Sequence, residues 1–512
     1  MITTLFNSLL PASSLKRALR TSLPAERVDP AADDALAGVL LTDPQDLSAT
    51  RSLGTDYSRI TLNRRGADEY TKISFPLKYG IYSEIETSDA ILQFNLNHEI
   101  VRAKGKERQW IQPSEWLKRT MGNDWIYYST GGYTGVFEAT GEYYLPNLPY
   151  PTNSLLGGKP LCEPAVERIL SSWHQIIHSS LESLKSRGEL TGLSSELNQM
   201  SSDPKLMDSR SKWSNSKGIC SERAYCEASY AEALQFLEHA LANTPQTLQQ
   251  KSDALFEASG CRVTVMPPDA RHVDYDIIPL IISDGCLYKC RFCRVKSDRP
   301  FAVRRPDKIA EQLVKLKGIY GRDVVNYNSI FLGDHDGLNA GKDTILSAAE
   351  AAYRAFNFGN SYIRGSSLFM FGSVDSLMNS DEELFESLNL MPYKSYINIG
   401  LESADQETLD MIGKPLTSLQ VQEAFKEIQR INAKFDNIEV TANFIMDEKL
   451  PSGHYPSFLK LVQESIERPK TKGAVYLSPL RINRPSREVL FQFNRLKRLS
   501  RLPTFLYIIQ RL

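Results

Sequence analysis

The chain has 512 residues, 42% of them apolar and 24% charged, with a formal net charge of −1. That length exceeds one ordinary core and implies two or three domains, while the charge balance excludes a global pull toward nucleic acid or anionic membrane and leaves only a local basic groove. No apolar stretch reaches the length of a membrane span, and seven cysteines in a chain this long do not form a secreted disulfide framework; a cytoplasmic setting is expected. Residues 1–25 contain no acid and carry Lys16, Arg17 and Arg20. Organelle transit segments share that bias, but a mobile start or a surface helix is the expectation. Residues 1–50 mix Pro, Ala and Asp as weakly structured segments do.

Partial alternation of apolar residues predicts strands over 57–62, 70–75, 81–87, 90–96 and 125–129. Gly131, Gly132 and Gly141 punctuate the region with turns. Over 162–184 the period becomes helical, with Val166, Leu170, Trp173, Ile177, Leu181 and Leu184 on one side. All five Trp precede Ser214. A separate α+β domain over 51–190 is the result. A Ser-, Asn-, Asp- and Lys-rich linker spans 191–220, and a helical connector over 221–260 breaks near Asn243, Thr244 and Pro245.

From Cys261 the texture is regular. After a short strand over 263–266, the run 277–283 is nearly all apolar, as a strand buried on both faces should be. Helices are predicted over 306–320, 343–356, 381–388, 419–431 and 455–467. They alternate with strands over 329–332, 368–371, 396–401, 438–446 and 474–477. Strand and helix alternating about six times predict an α/β unit with a parallel sheet over 261–485, followed by a basic tail over 486–512. Such sheets place their chemistry at the C-terminal ends of the strands.

At one such end stand Cys286, Cys290 and Cys293, spaced C-x-x-x-C-x-x-C. A cubane [4Fe–4S] cluster usually takes four cysteines. Three on one loop imply an iron left without a protein ligand, where a small molecule can bind. Zinc held by these thiolates and a histidine is the alternative; His272 and His335 are the nearest in sequence.

The cysteine triplet, with aromatic Phe292 before its last member, resembles the radical S-adenosylmethionine (radical SAM) superfamily. The resemblance covers about residues 270–480. It implies a partial (β/α)6 TIM-like barrel, a [4Fe–4S] cluster on Cys286, Cys290 and Cys293, and SAM on the open iron. One electron then splits SAM into methionine and a 5′-deoxyadenosyl radical, which abstracts hydrogen from a substrate. Gly333 and Asp334 fall where the family has a small-residue turn, often Gly-Gly-Glu, whose backbone binds the SAM amino group; Asp replaces Glu here. The strand carrying Gly400, Leu401, Glu402 and Ser403 resembles the Gly-Leu-Glu-Ser element of several branches, in which the acid points toward SAM. Asp405, Leu409, Lys414 and Pro415 match the same branches. Ser373 is a further cofactor candidate, with Asp375, Asn443 and Asp447 weaker ones. Arg294 and Lys296 are able to offset cluster charge, or are plain surface residues.

Other constellations are discounted. Cys162, Cys220, Cys226 and Cys261 are too scattered for a second cluster. His174 and His178 share a helical face but lack a third ligand. Arg495, Lys497, Arg498, Arg501 and Arg511 make a basic tail whose default is a solvated helix face, with RNA contact as the outside reading. The region before residue 220 is expected to cap the barrel or recognise the substrate. The substrate is not legible; RNA and peptide modification are sub-cases. An upstream three-cysteine domain of the methylthiotransferase kind is missing from the sequence. By family analogy the electron donor is a flavodoxin or ferredoxin. The rival of a different class is a non-catalytic iron–sulfur or zinc protein acting as regulator or scaffold.

Overall fold

The computed structural model describes residues 47, 49–68, 80–106, 116–119, 125–128, 136–140, 172–188, 226–261, 266–269, 277–293, 299–466, 468–480 and 487–510. The strands expected over 70–75 and 263–266 lie outside these residues or at their edge.

The first sheet is an antiparallel meander of β1 (Arg51–Gly54), β2 (Arg59–Arg65), β3 (Ile81–Glu86), β4 (Ala90–Phe94), β5 (Ile100–Gly105), β6 (Trp116–Arg119) and β7 (Trp125–Tyr128). A further strand, β8 (Val136–Thr140), leaves this sheet, and β9 (Cys226–Glu227) pairs parallel to β1. Ile60, Ile85, Leu92, Phe94 and Ile100 are fully buried on one face. Three helices cover them: α1 (172–188), α2 (Tyr230–Ala242) and α3 (Pro245–Ser259). They supply Trp173, Ile177, Leu181, Leu184, Phe236, Leu237 and Leu248 to the same core. The break between α2 and α3 falls at Asn243, as the sequence predicts. Thr244 caps α3 with its side chain, and Pro245 stands in the first turn, where its missing N–H is harmless.

The second sheet is parallel throughout. Its order is β10 (Ile277–Leu280), β13 (Ser329–Leu332), β14 (Ser367–Gly372), β15 (Lys394–Glu402), β16 (Ile438–Met446), β17 (Val475–Pro479), β18 (Thr504–Gln510), then β8. A small antiparallel ribbon, β11 (Ser283–Asp284) with β12 (Ala302–Val303), follows β10. Between these strands run α4 (Pro306–Tyr320), α5 (Lys342–Ala355), α6 (Val374–Met378), α7 (Glu382–Leu390), α8 (Gln406–Ile412), α9 (Ser418–Lys434), α10 (His454–Leu459) and α11 (Arg487–Leu499). Ile397, Ile399, Leu401, Val440, Ala442 and Phe444 share one buried core with Val421, Phe425 and Ile428 of α9. This is the α/β barrel that the sequence predicts, with one correction. The sequence reading leaves 486–512 outside the barrel as a basic tail, whereas β18 is its seventh strand, pairing parallel to β17 and β8. Arg495, Lys497 and Arg498 of the segment sit on α11, and the apolar run behind them supplies the strand.

The two sheets are tied by buried polar contacts. The Asn326 side chain donates to Ile81 O (2.8 Å) and accepts from Ile81 N (2.7 Å). Asp323 accepts from Leu96 N, and Asn97 donates to Tyr320 O.

Candidate active site: the cysteine loop and the rim of the barrel

The cysteine loop leaves β10 and ribbon strand β11 at the C-terminal rim of the barrel. It turns at Gly285, whose φ of +73° and contact with the carbonyls of Arg299 and Pro300 leave no room for a Cβ. Cys290 is buried in the main core, and Cys286, Phe292 and Cys293 pack against that core while partly exposed. Burial pushes the Cys290 thiol up to about 11 and raises Cys286 as well. Each of these two thiols is also raised by the charge of Cys293, so the three lie within electrostatic reach of one another.

Helix α8 bolts the loop in place. Arg291 N donates to Ile412 O (3.1 Å) and its guanidinium to Asp410 O (2.8 Å). Gly413 ends α8 in the left-handed conformation, and a Cβ there would stand 2.5 Å from Arg291 Nε. The next residue, Lys414, is only 6% exposed. Its ammonium lies 4.9 Å from the centre of the Tyr288 ring, in the middle of the cysteine loop. The Tyr288 hydroxyl in turn accepts from Asp375 N at the start of α6.

Glu402 ends β15 at a bulge in its pairing with β16. Its φ is +66°, a conformation that a side-chain-bearing residue adopts only when its surroundings impose it. The bulge re-aims the carboxylate along the rim, to 3.6 Å from Lys414 Nζ. Burial raises the Glu402 carboxyl above its usual range, and Lys414 opposes that rise.

Gly333 has a φ of +98°, with Gly337 Cα 2.7 Å from where its Cβ would be; its N–H donates to Leu280 O. Asp334 pairs with the neighbouring His335 Nδ1 at 2.6 Å. Ser373 is 5% exposed, caps α6 through Ser376 N and hydrogen-bonds the Ser376 hydroxyl. Asn443 donates to Asn398 Oδ1, one residue layer further into the barrel, and Asp447 accepts from Lys449 N. Arg294, Lys296, His272, Cys162 and Cys220 lie outside the described residues. His174 engages Leu241 O, and His178 is exposed.

The rim holds a carboxylate that sequence reasoning missed. Asp336 is 1% exposed. One of its oxygens accepts from Ser373 N (3.0 Å) and the Ser376 hydroxyl (2.9 Å), while Oδ2 has no hydrogen-bond partner. Burial raises its carboxyl above the usual range, and its charge is felt at Cys286. Nothing in its sequence neighbourhood separates it from Asp334. Lys414 was visible as part of a matching segment, without a role.

Among the described residues no three His, Cys, Asp or Glu side chains are gathered as a cage for a single metal ion. A cubane asks for something different, one sulfur per iron rather than several donors on one ion. Three thiols on a short braced loop, one buried and two partly exposed, fit that demand.

Residues 280–446 match the model of the radical SAM superfamily. They form a radical SAM domain. The cofactors of this family are a [4Fe–4S] cluster and SAM. No curated protein matches the chain. Solved structures with partial likeness include the apo form of the cobalamin-dependent S-adenosylmethionine radical enzyme OxsB, at 19% identity and a TM-score of 0.27 over 36% of this chain and 26% of that one. OxsB with aqua-cobalamin and S-adenosylmethionine bound aligns at 18% identity and 0.28, over 38% and 27%. With aqua-cobalamin alone the values are 17% and 0.29, over 47% and 32%. The chain thus spans a third or less of the OxsB length. Among the described residues no helix is long and apolar enough to cross a membrane.

Proposed function

We propose that this protein is a radical SAM enzyme that holds a [4Fe–4S] cluster on Cys286, Cys290 and Cys293 and uses it to cleave SAM and abstract hydrogen from a substrate. The observation that carries this reading is the place of the cysteine loop: directly after β10, at the C-terminal rim, inside the matched residues and braced by α8. When bound, the cluster and SAM supply the electron transfer and the 5′-deoxyadenosyl radical. The chain's own part is to bind, orient and exclude water.

Cys290, the buried member of the triplet, would fix the cluster against the core. Phe292, half-buried beside it, gives an apolar wall. Glu402 and Asp336 are acceptors on the rim, and each is suited to a donor group of SAM. Gly333 lets the chain turn closely at the end of β13. An external reductant is required, and a flavodoxin or ferredoxin is the class proposed. The finer reaction, on RNA, peptide or a small molecule, is left to substrate screening.

The test is anaerobic reconstitution followed by reduction in the presence of SAM. Wild-type protein should bind about four irons per chain and release 5′-deoxyadenosine. Cys290→Ala should lose both. Zinc in place of iron, or a cluster without SAM cleavage, would sink the proposal.

A further inference from the structure

Helix α11 has two unlike faces. Val489, Phe493 and Leu496 are buried in the main core. Phe491, Asn494, Arg495 and Arg498 stand on the other side, at i, i+3, i+4 and i+7, and all four are exposed. Phe491 is 73% exposed, more than any other aromatic among the described residues. A lone exposed apolar side chain is ordinary; a bare ring set in line with two arginines is a different kind of surface. Among the described residues neither arginine has a carboxylate partner.

Charge is segregated around this face. From Arg468 to Arg501 the sequence carries ten Lys and Arg and a single acid, Glu488, in a chain whose formal net charge is −1. Arg468 and Lys470 are exposed, and the fold brings them to the foot of α11. There Lys470 N donates to Arg501 O (2.8 Å), and the Arg501 guanidinium donates to Ile466 O. A basic strip therefore continues past the end of the helix. Such a strip selects a polyanion, and the bare ring selects one with flat faces to stack. An acidic protein would satisfy the charge and leave the ring unused. Bases in a duplex are already stacked on one another, so the fitting strand is single. Arg495 and Arg498 lie ~6 and ~10 Å along the helix axis from Phe491, within reach of successive phosphates beside a base stacked on the ring. Asn494 both donates and accepts, as recognition of a 2′-hydroxyl requires, and that group separates RNA from DNA.

We infer that the outer face of α11 is a docking surface for single-stranded RNA: Phe491 stacks on a base, and Arg495 and Arg498 hold the phosphates that follow it. This goes beyond the proposed function and does not depend on it, because binding needs no cluster. Helix α11 starts after the C-terminal end of β17, so Phe491 is nearer the rim than either arginine.

The experiment is fluorescence anisotropy of a labelled single-stranded RNA of about 12 nucleotides, titrated with the purified full chain across about 50–200 mM salt. Wild type should bind, with an affinity that falls steeply as salt rises. F491A and F491L should bind at least about fivefold more weakly, because both lose the stacking ring, and F491W should stay near wild type. R495Q/R498Q should weaken binding and flatten the log–log salt slope by about 1.4, at ~0.7 per phosphate contact on a single strand. K315Q/K426Q removes two exposed lysines from α4 and α9, and should leave affinity and slope unchanged. Circular dichroism melting checks that each variant folds; should a Phe491 variant fail to, R495Q/R498Q decides. A wild-type chain that does not bind overturns the inference. So does F491L at wild-type affinity, an unchanged slope in R495Q/R498Q, or an equal loss in K315Q/K426Q. DNA of the same sequence bound as tightly overturns the assignment to RNA, and poly-L-glutamate bound as tightly gives the face to an acidic protein instead.

Discussion

Replacing Gly413 by alanine tests whether α8 really braces the cysteine loop. The residue has a φ of +65°, and an alanine there is strained by about 1 kcal/mol. The added Cβ would also stand 2.5 Å from Arg291 Nε and 3.0 Å from its Cγ. The side chain must swing away and give up its hydrogen bond to Asp410 O, worth about 1 kcal/mol. Gly413→Ala should therefore cost about 2 kcal/mol in urea unfolding, the sum of the two effects. In an Arg291→Ala background the clash is gone, and the same change should cost only about 1 kcal/mol, from backbone strain. The double-mutant cycle should then show a coupling of about 1 kcal/mol. Iron uptake on reconstitution should fall for Gly413→Ala and recover in part for the double variant. Additivity within about 0.5 kcal/mol, or a Gly413→Ala protein with wild-type stability and iron, would refute the brace.

Two further predictions concern the join between the sheets. His98 sits at a φ of +62° with its ring 5.1 Å from that of His239. Burial, then His239 and Arg322, hold its pKa down to about 4. As pH falls below 6.5 the unfolded chain takes up a proton at this residue that the folded chain refuses. Stability should be lost between about pH 6.5 and 4, by up to about 3 kcal/mol. His98→Asn, which tolerates the positive φ, should flatten that part of a stability–pH curve; an unchanged slope contradicts the assignment. Asn326→Ala removes both Ile81 contacts and the bond to Asp323, leaving buried backbone groups unpaired. A loss of about 3 kcal/mol is expected, read as a lower urea midpoint, and a loss below about 1 kcal/mol would show that the join does not depend on it.

The barrel was legible because its signal is local. Near-continuous apolar runs mark strands buried on both faces, and helical periods separate them. The predicted helix over 306–320 coincides with α4, and the predicted strand over 438–446 with β16. The last strand escaped because five basic residues drew attention away from the apolar segment 504–510. In the meander, β1, β5 and β6 were missed. Short strands such as β1 and β6, four residues each, hold too few alternations to stand out from loops.

At the site, the sequence by itself determined the chemistry: three thiols at a spacing that one loop can present, an aromatic among them, and an acid at the end of an apolar strand. These follow from neighbours in the chain, so spacing reveals them. Only the tertiary structure decided which distant groups share the rim. It sets Lys414 beside Glu402 and over Tyr288, and Asp336 against the cap of α6 with one oxygen unpaired. Those meetings depend on how β10, β13 and β15 align in the sheet and on a bulge at Gly400 and Glu402. Register between strands far apart in sequence leaves no periodic trace along the chain, whereas the alternation that builds each strand does.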